Sequence, residues 1–347
     1  MSFAELNERE RRVLAAVIQS YVETAQPAGS RAIARKFGLG VSPATIRNTM
    51  SDLEEKGFLF HPHTSAGRVP TDLAYRAYVE SLTDVVPPAV PEARELERAI
   101  RDGDNTIEAI LRRAAQTLGV LTQELGVALG PRLDQTVLDR LALLRVSSDR
   151  LILALTLTGG LARTLFVDVP GEIADAAVQE VERVLNERLA GLSLRDIRST
   201  LGSRLRDAVT PGQVSELLNI FIEEGDQMFD LPVTGVASDV VLGQPSLLAE
   251  HPEFSDTDGM RRVMELTETR HRIAEVLRQR HPGPGLQITI GGEHGEGLLE
   301  RFTLVTAEYH AGSISGVIGV IGPTRMPYDK VISLVTHTSR LVSDLLH

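Results

Sequence analysis

The stretch Val41-Ser42-Pro43-Ala44-Thr45-Ile46-Arg47-Asn48-Thr49-Met50-Ser51-Asp52-Leu53-Glu54-Glu55 decides the reading of this chain. Ser42 is placed to cap a helix, and Pro43 fits its first turn, where no intrahelical bond is lost. Ile46, Met50 and Leu53 recur at helical spacing and predict one buried stripe. At about 100° per residue, Ala44, Arg47, Asn48, Ser51 and Glu55 fall on the opposite side. Small and hydrogen-bonding groups near a helix N-terminus suit the DNA major groove: Arg pairs with guanine O6 and N7, Asn with adenine N6 and N7. An amphipathic surface helix reads the same way in isolation, so the flanking sequence has to decide.

Upstream, Asn7 and Glu10 have the spacing of a capping box, followed by Leu14, Val17, Ile18, Tyr21 and Val22 at helical period. Pro27 interrupts that helix. Ser30 is expected to cap a shorter one with Ile33, Ala34 and Phe37 inward, and Gly38 to supply the left-handed residue after it. Two helices, a tight turn at Leu39-Gly40-Val41 and a polar-faced second helix make a helix-turn-helix. Downstream, Gly57 ends the helix, Phe58-Leu59-Phe60 reads as a strand, His61-Pro62-His63 turns, and Thr64-Ser65-Ala66-Gly67-Arg68 returns. That hairpin is the wing of a winged helix, expected over residues 1–82. The candidate DNA-contacting set is Ser30, Ser42, Ala44, Thr45, Arg47, Asn48 and Ser51 on the helices, and His63, Thr64, Ser65 and Arg68 on the wing, where contacts fall on phosphates or the minor groove.

The net charge of −11 is unevenly placed. Residues 1–80 hold ten Lys and Arg against nine Asp and Glu, while the remaining 267 hold 26 against 38, so the head is +1 and the body −12. A weakly charged head has little sequence-independent pull on phosphate. It must rely on base contacts and on paired half-sites, which predicts a dimer on a palindrome. The chain has no cysteine, which excludes disulfides and thiolate metal sites and fits a reducing cytosol. The first residues carry no basic-then-apolar leader, and no apolar run reaches the roughly 18 residues of a membrane helix, so a cytoplasmic protein with no membrane partner is expected.

Helical patterns continue at 71–82, 92–101 and 105–125, separated at Val85-Val86-Pro87-Pro88-Ala89-Val90-Pro91 by a proline-rich spacer. Short β-type runs follow at 138–146, 151–158 and 161–169, then helices at 173–190 and through 193–229, a mixed stretch at 231–256 and a long helix at 257–280. Strands resume at 286–290, 301–309 and 314–321 before a last helix at 328–345. Strands on both sides of a helical middle suggest one α+β domain with a helix-rich insertion. The expected boundaries are 83–104 for a linker and connecting helix, 105–192 and 284–347 for the two parts of the domain, and 193–283 for the insertion. Gly291-Gly292-Glu293-His294-Gly295-Glu296-Gly297 lacks the Gly-Lys-Ser/Thr ending of a phosphate loop and reads as a turn between strands. No nucleophile elbow, His-Glu-x-x-His pair or spaced carboxylate pair points to an enzyme. Two histidines in one turn make no metal site, and no cofactor is called for.

Three blocks resemble the heat-inducible transcription repressor family HrcA: Ser42-Pro43-Ala44-Thr45-Ile46-Arg47-Asn48 with Met50, Asp52-Leu53-Glu54 and Gly57; Pro62 to Thr71 with Tyr75-Arg76 and Tyr78-Val79; and Gly319-Val320-Ile321-Gly322-Pro323-Thr324-Arg325-Met326 with Tyr328 and Lys330-Val331-Ile332. Pro252-Glu253-Phe254 is similar to a short central motif of that family. Where the family shows Gly-x-Glu-Asn, this chain has Gly291-Gly292-Glu293-His294. The resemblance implies an α+β multidomain chain: an N-terminal winged helix-turn-helix and a GAF-like α+β domain interrupted by a helix-rich inserted dimerisation domain. It also implies a homodimer on the inverted-repeat operator CIRCE upstream of chaperone operons, with the chaperonin as the partner that keeps the repressor active. The competing expectation is a regulator whose GAF-like domain senses a small ligand.

Overall fold

The computed structural model describes residues 6–63, 67–82, 87–104, 106–131, 136–158, 161–171, 173–206, 212–229, 240–279, 285–295, 297–312 and 314–346. The fold is α+β. The chain divides into one unit of Met1–Leu129, Val240–Glu308 and Val317–Val342, and a second of Gly130–Asp239, Tyr309–Gly316 and Ser343–His347.

The first unit starts with α1 (Glu8–Thr24), α2 (Ser30–Phe37) and α3 (Pro43–Glu55), then the hairpin β1 (Leu59–Phe60) and β2 (Val69–Pro70), and α4 (Asp72–Ser81). Asn7 and Glu10 form the capping box read from the sequence, each side chain accepting the other's amide at 3.0 Å. Leu14, Val17, Ile33, Ile46, Met50, Leu53, Phe58 and Tyr75 are buried and form the core of this part. Burial of each such side chain contributes about 1.5–3 kcal/mol. Ile46, Met50 and Leu53 therefore hold α3 down by one side only.

After α5 (Val90–Arg101) and α6 (Ile107–Thr122), the chain enters β3 (Leu125–Leu129), whose five residues are all buried. The second unit intervenes with β4 (Leu138–Ser147), β5 (Arg150–Leu157), β6 (Leu161–Asp168), α7 (Asp175–Leu189), α8 (Leu194–Arg206) and α9 (Gln213–Met228). The chain continues with β7 (Val240–Leu242), α10 (Ser246–Ala249), α11 (Thr257–Glu268), α12 (Arg270–Gln279), β8 (Leu286–Ile290), β9 (Phe302–Ala311), β10 (Ile314–Pro323) and α13 (Tyr328–Leu345), which lie in the first unit except for the ends at Tyr309–Gly316 and beyond Val342. In the first unit the large sheet is built. It runs β7-β3-β10-β9-β8, with β3 antiparallel to both neighbours. Leu125, Val127 and Leu129 share a core with Leu248, Phe254, Val263, Leu266, Ile273, Leu277, Phe302 and Ile321. Among the described residues, no helix is long and apolar enough to cross a membrane.

In the second unit, β4, β5 and β6 form an antiparallel sheet in chain order. Helix α7 packs along the edge strand β4 and satisfies its backbone: Asn186 brackets Leu141 with bonds of 2.9 and 2.8 Å, and Glu182 accepts the Leu143 amide at 2.9 Å. Such bonds occupy a strand edge that would otherwise recruit another chain.

The strands of 138–168 lie in the second unit, while α11 and α12 pack on the large sheet. Alternation identifies a strand but not its sheet: β4–β6 pair with neighbours in the chain, whereas β3 finds β7 and β10 far along it. Two expectations, for the helix of 257–280 and for Ser30, are corrected. The long helix of 257–280 is two helices, broken at Thr269 (φ −96°, ψ 47°). Ser30 is the first residue inside α2; the cap position is Gly29, in extended conformation because Ala28 before it is bridged to Arg68.

Candidate nucleic-acid interface

The reading helix is built from its caps inward. Ser42 Oγ accepts the Thr45 amide at 3.1 Å and lies 3.0 Å from the Thr45 hydroxyl, and Pro43 occupies the first turn. At the other end Lys56 closes the helix, Gly57 takes φ 79°, and the amides of Gly57 and Phe58 reach back to the carbonyls of Glu54 and Leu53 at 2.9 Å each. This is a Schellman closure, and it turns the chain directly into the wing. Lys56 Nζ also meets both carboxylate oxygens of buried Glu10, at 2.8 and 2.9 Å. That ammonium holds the Glu10 carboxyl below its ordinary range and ties the end of α3 to the start of α1.

On the open side of α3, Ala44, Arg47, Asn48 and Ser51 are exposed and Thr45 is half-buried, so the structure gathers these five on one face beside Ser42. Thr49, unmarked by the stripe, is buried and donates its hydroxyl to the Thr45 carbonyl at 3.1 Å. Ser30 is half-buried at the start of α2. The cations Arg31 and Arg35, exposed on α2, lie outside the expected set, and their four-residue spacing on a polar face is the sequence signal for them. The first helix of such a motif crosses the phosphate backbone.

On the wing, His63 is exposed, and Thr64 and Ser65 lie outside the described residues. Arg68 differs from expectation. Its side chain is only 14% exposed, and its Nη2 donates to Glu54 at 2.7 Å, while His61 Nδ1 lies 3.2 Å from the same carboxylate. Glu54 thus fastens both arms of the hairpin to α3, and Arg68 is a brace of the wing. The Arg68 backbone exchanges hydrogen bonds of 2.8 and 2.9 Å with Ala28, and a Cβ on Gly67 would overlap the backbone there. Gly67→Ala is therefore expected to destabilise the winged helix by about 1–3 kcal/mol through overpacking. A lower denaturation midpoint with α1 otherwise intact would be the signature, and an unchanged midpoint would refute the close approach.

The third helix therefore exposes a polar face, buries an apolar one and leaves through a braced hairpin. The family model described as the HrcA protein C terminal domain matches residues 108–332, the large α+β part that follows this head. The chain is 37% identical to the heat-inducible transcription repressor HrcA of Chlorobium phaeobacteroides (strain BS1), with all of both chains covered. The chain belongs to the HrcA family. A repressor of the same name from Geobacter sulfurreducens is 32% identical over 99% of this chain and 98% of its own. A crystal structure of a protein described only as hypothetical covers 99% of each chain at a TM-score of 0.63 and 22% identity, which establishes a shared fold.

Proposed function

We propose that this chain is a sequence-specific repressor that reads an inverted-repeat operator of the CIRCE type upstream of heat-shock chaperone genes, as a homodimer kept active by the chaperonin. The observation that carries the reading is the exposed Arg47, Asn48 and Ser51 face of α3, held by helix caps at both ends. Arg31 and Arg35 on α2 join as phosphate contacts. The large sheet and its helices serve as a GAF-like scaffold, and the second unit as the dimerisation module. The outer face of its small sheet supports that role. Leu144, opposite Ile152, which is opposite Phe166, makes one row; Leu144, Val146 and Phe166 are 57%, 53% and 66% exposed. Apolar side chains clustered at this exposure mark a protein interface, and a second copy of the chain is the occupant that a palindrome requires.

A ligand-sensing regulator is the second reading, favoured by a cavity of about 590 Å³ beside the large sheet, lined in part by Arg272, Gln287, Thr289 and Leu299. Titrating purified protein on inverted-repeat DNA, with and without chaperonin, separates the two. Chaperonin is expected to raise the fraction of protein that binds. Indifference to chaperonin, together with switching by a small-molecule extract, would replace the first scheme by the second.

A further inference from the structure

Two motifs without an assigned task, Gly291-Gly292-Glu293 and Gly322-Pro323-Thr324-Arg325, meet the winged helix at discrete points. Arg325 donates from Nη1 to the carbonyl of Val22, in the last turn of α1, at 2.5 Å, and from Nε and Nη2 to Glu253 at 2.5 and 3.2 Å. Arg76 on α4 donates through Nε to Glu293 at 2.6 Å and through Nη2 to the Ile288 carbonyl at 2.7 Å. Asp72 accepts the Gly292 amide at 2.9 Å. Gly291 stands at φ 49° with the Asp72 carboxylate in the space of its missing Cβ. Tyr75 and Tyr328 meet between these points with ring centroids 5.8 Å apart. A cleft of about 800 Å³, lined among others by Tyr21, Asp72, Tyr75, Glu253 and Arg325, opens beside them. Directional polar bonds around the buried Tyr75–Tyr328 contact fix an orientation as well as a contact.

We propose that Arg325, Asp72 and the Arg76–Glu293 pair are positioning residues that fix the winged helix on the large sheet, so that the second head of a dimer meets its half-site already aimed. This rests on the operator reading above. A head of charge +1 gains little from phosphate attraction alone, so the second binding event depends on effective concentration. Rigid placement raises that concentration and a swivelling head dilutes it.

The test measures binding of the full-length protein to a single half-site and to inverted repeats whose spacing is stepped through about half a helical turn. Arg76→Glu and Glu293→Arg, each alone, are expected to lose about tenfold or more on the correctly spaced repeat, keep half-site affinity and flatten the spacing preference. The double exchange should recover most of both, as coupled partners do. Arg325→Lys, which keeps the charge but loses the fork, should flatten the preference in a milder form. Retained spacing preference in the single variants, absence of recovery in the double, or a parallel fall of half-site affinity and melting temperature each overturns the proposal. A wild-type protein that binds neither DNA sinks the operator reading with it, whereas wild-type binding with no spacing preference sinks this inference alone.

Discussion

Asn48→Ala is expected to weaken binding of the dimer to its operator by about 2–6 kcal/mol, because about 1–3 kcal/mol of base discrimination is lost at each of two half-sites. The side chain is exposed on α3, one residue after Arg47, and the helix under it is pinned by buried Ile46, Met50 and Leu53. Truncation therefore removes the exposed amide without disturbing the frame, and the stability should stay within about 0.5 kcal/mol of wild type. Arg47→Ala should act alike at a neighbouring base pair, with loss of a bidentate guanine contact. Equilibrium titration at fixed salt against the operator, operators substituted one base pair at a time, and random DNA gives the answer. The variant should lose its preference at one position per half-site while random-DNA affinity stays level. Equal losses on operator and random DNA would make Asn48 a backbone contact and move the reading elsewhere on the helix.

Glu124→Gln is expected to flatten a fall in stability that the wild-type protein shows as pH rises. Glu124 is fully buried, and burial pushes its carboxyl from 4.5 up to about 7, although His251 nearby favours the charged form. His251 Nε2 lies 2.8 Å from the Gln123 carbonyl and 3.2 Å from Glu124 Oε2. Burial works against a charged imidazole, but Glu124 and that carbonyl outweigh it and raise the His251 value. Between about pH 4.5 and 7 the folded protein keeps a proton on Glu124 that the unfolded chain has released, so stability declines across this window by up to about 3 kcal/mol. Denaturant midpoints from about pH 5 to about pH 8 should fall for wild type, with the glutamine variant the more stable of the two at the alkaline end. A wild-type midpoint that climbs with pH, or a variant weaker at about pH 8, would show that the buried carboxylate is better satisfied than its surroundings suggest.

Legibility in the sequence followed the range of the interactions. The Asn7–Glu10 box, the Ser42 cap, Pro43, the left-handed Gly38 and the Gly57 closure were read correctly because each is settled within about six residues. The stripe of α3 was legible for the same reason, and with it the exposed polar face. The Arg68–Glu54 pair is invisible in the sequence, because a cation in a hairpin looks free until the chain folds Glu54 against it. Ser30 was misjudged because its cap position is taken by Gly29, whose extended backbone follows from a bridge between Ala28 and a residue forty positions later. Strands β3 and β7 are not legible in the sequence: β3 is buried throughout and carries no alternation, β7 has three residues, and their partners are remote.

The C-terminal motif divides along the same line. Its glycines and its arginine are visible as letters, but their duties belong to the tertiary structure. A side chain at Gly319 would collide with the Val305 carbonyl, Gly322 leaves the room that Glu124 occupies, and Arg325 reaches the last turn of α1. The sequence by itself determined the first three helices, the exposed polar face of α3, the near-neutral head on an acidic body and the family, since caps, periodicity and charge are local or additive properties. Only the tertiary structure decided which strands share a sheet, where the second unit begins, that Arg68 braces the wing and how the head is held. Those depend on contacts between residues tens to hundreds of positions apart, whose pairing is chosen by packing and hydrogen-bond satisfaction across the whole fold.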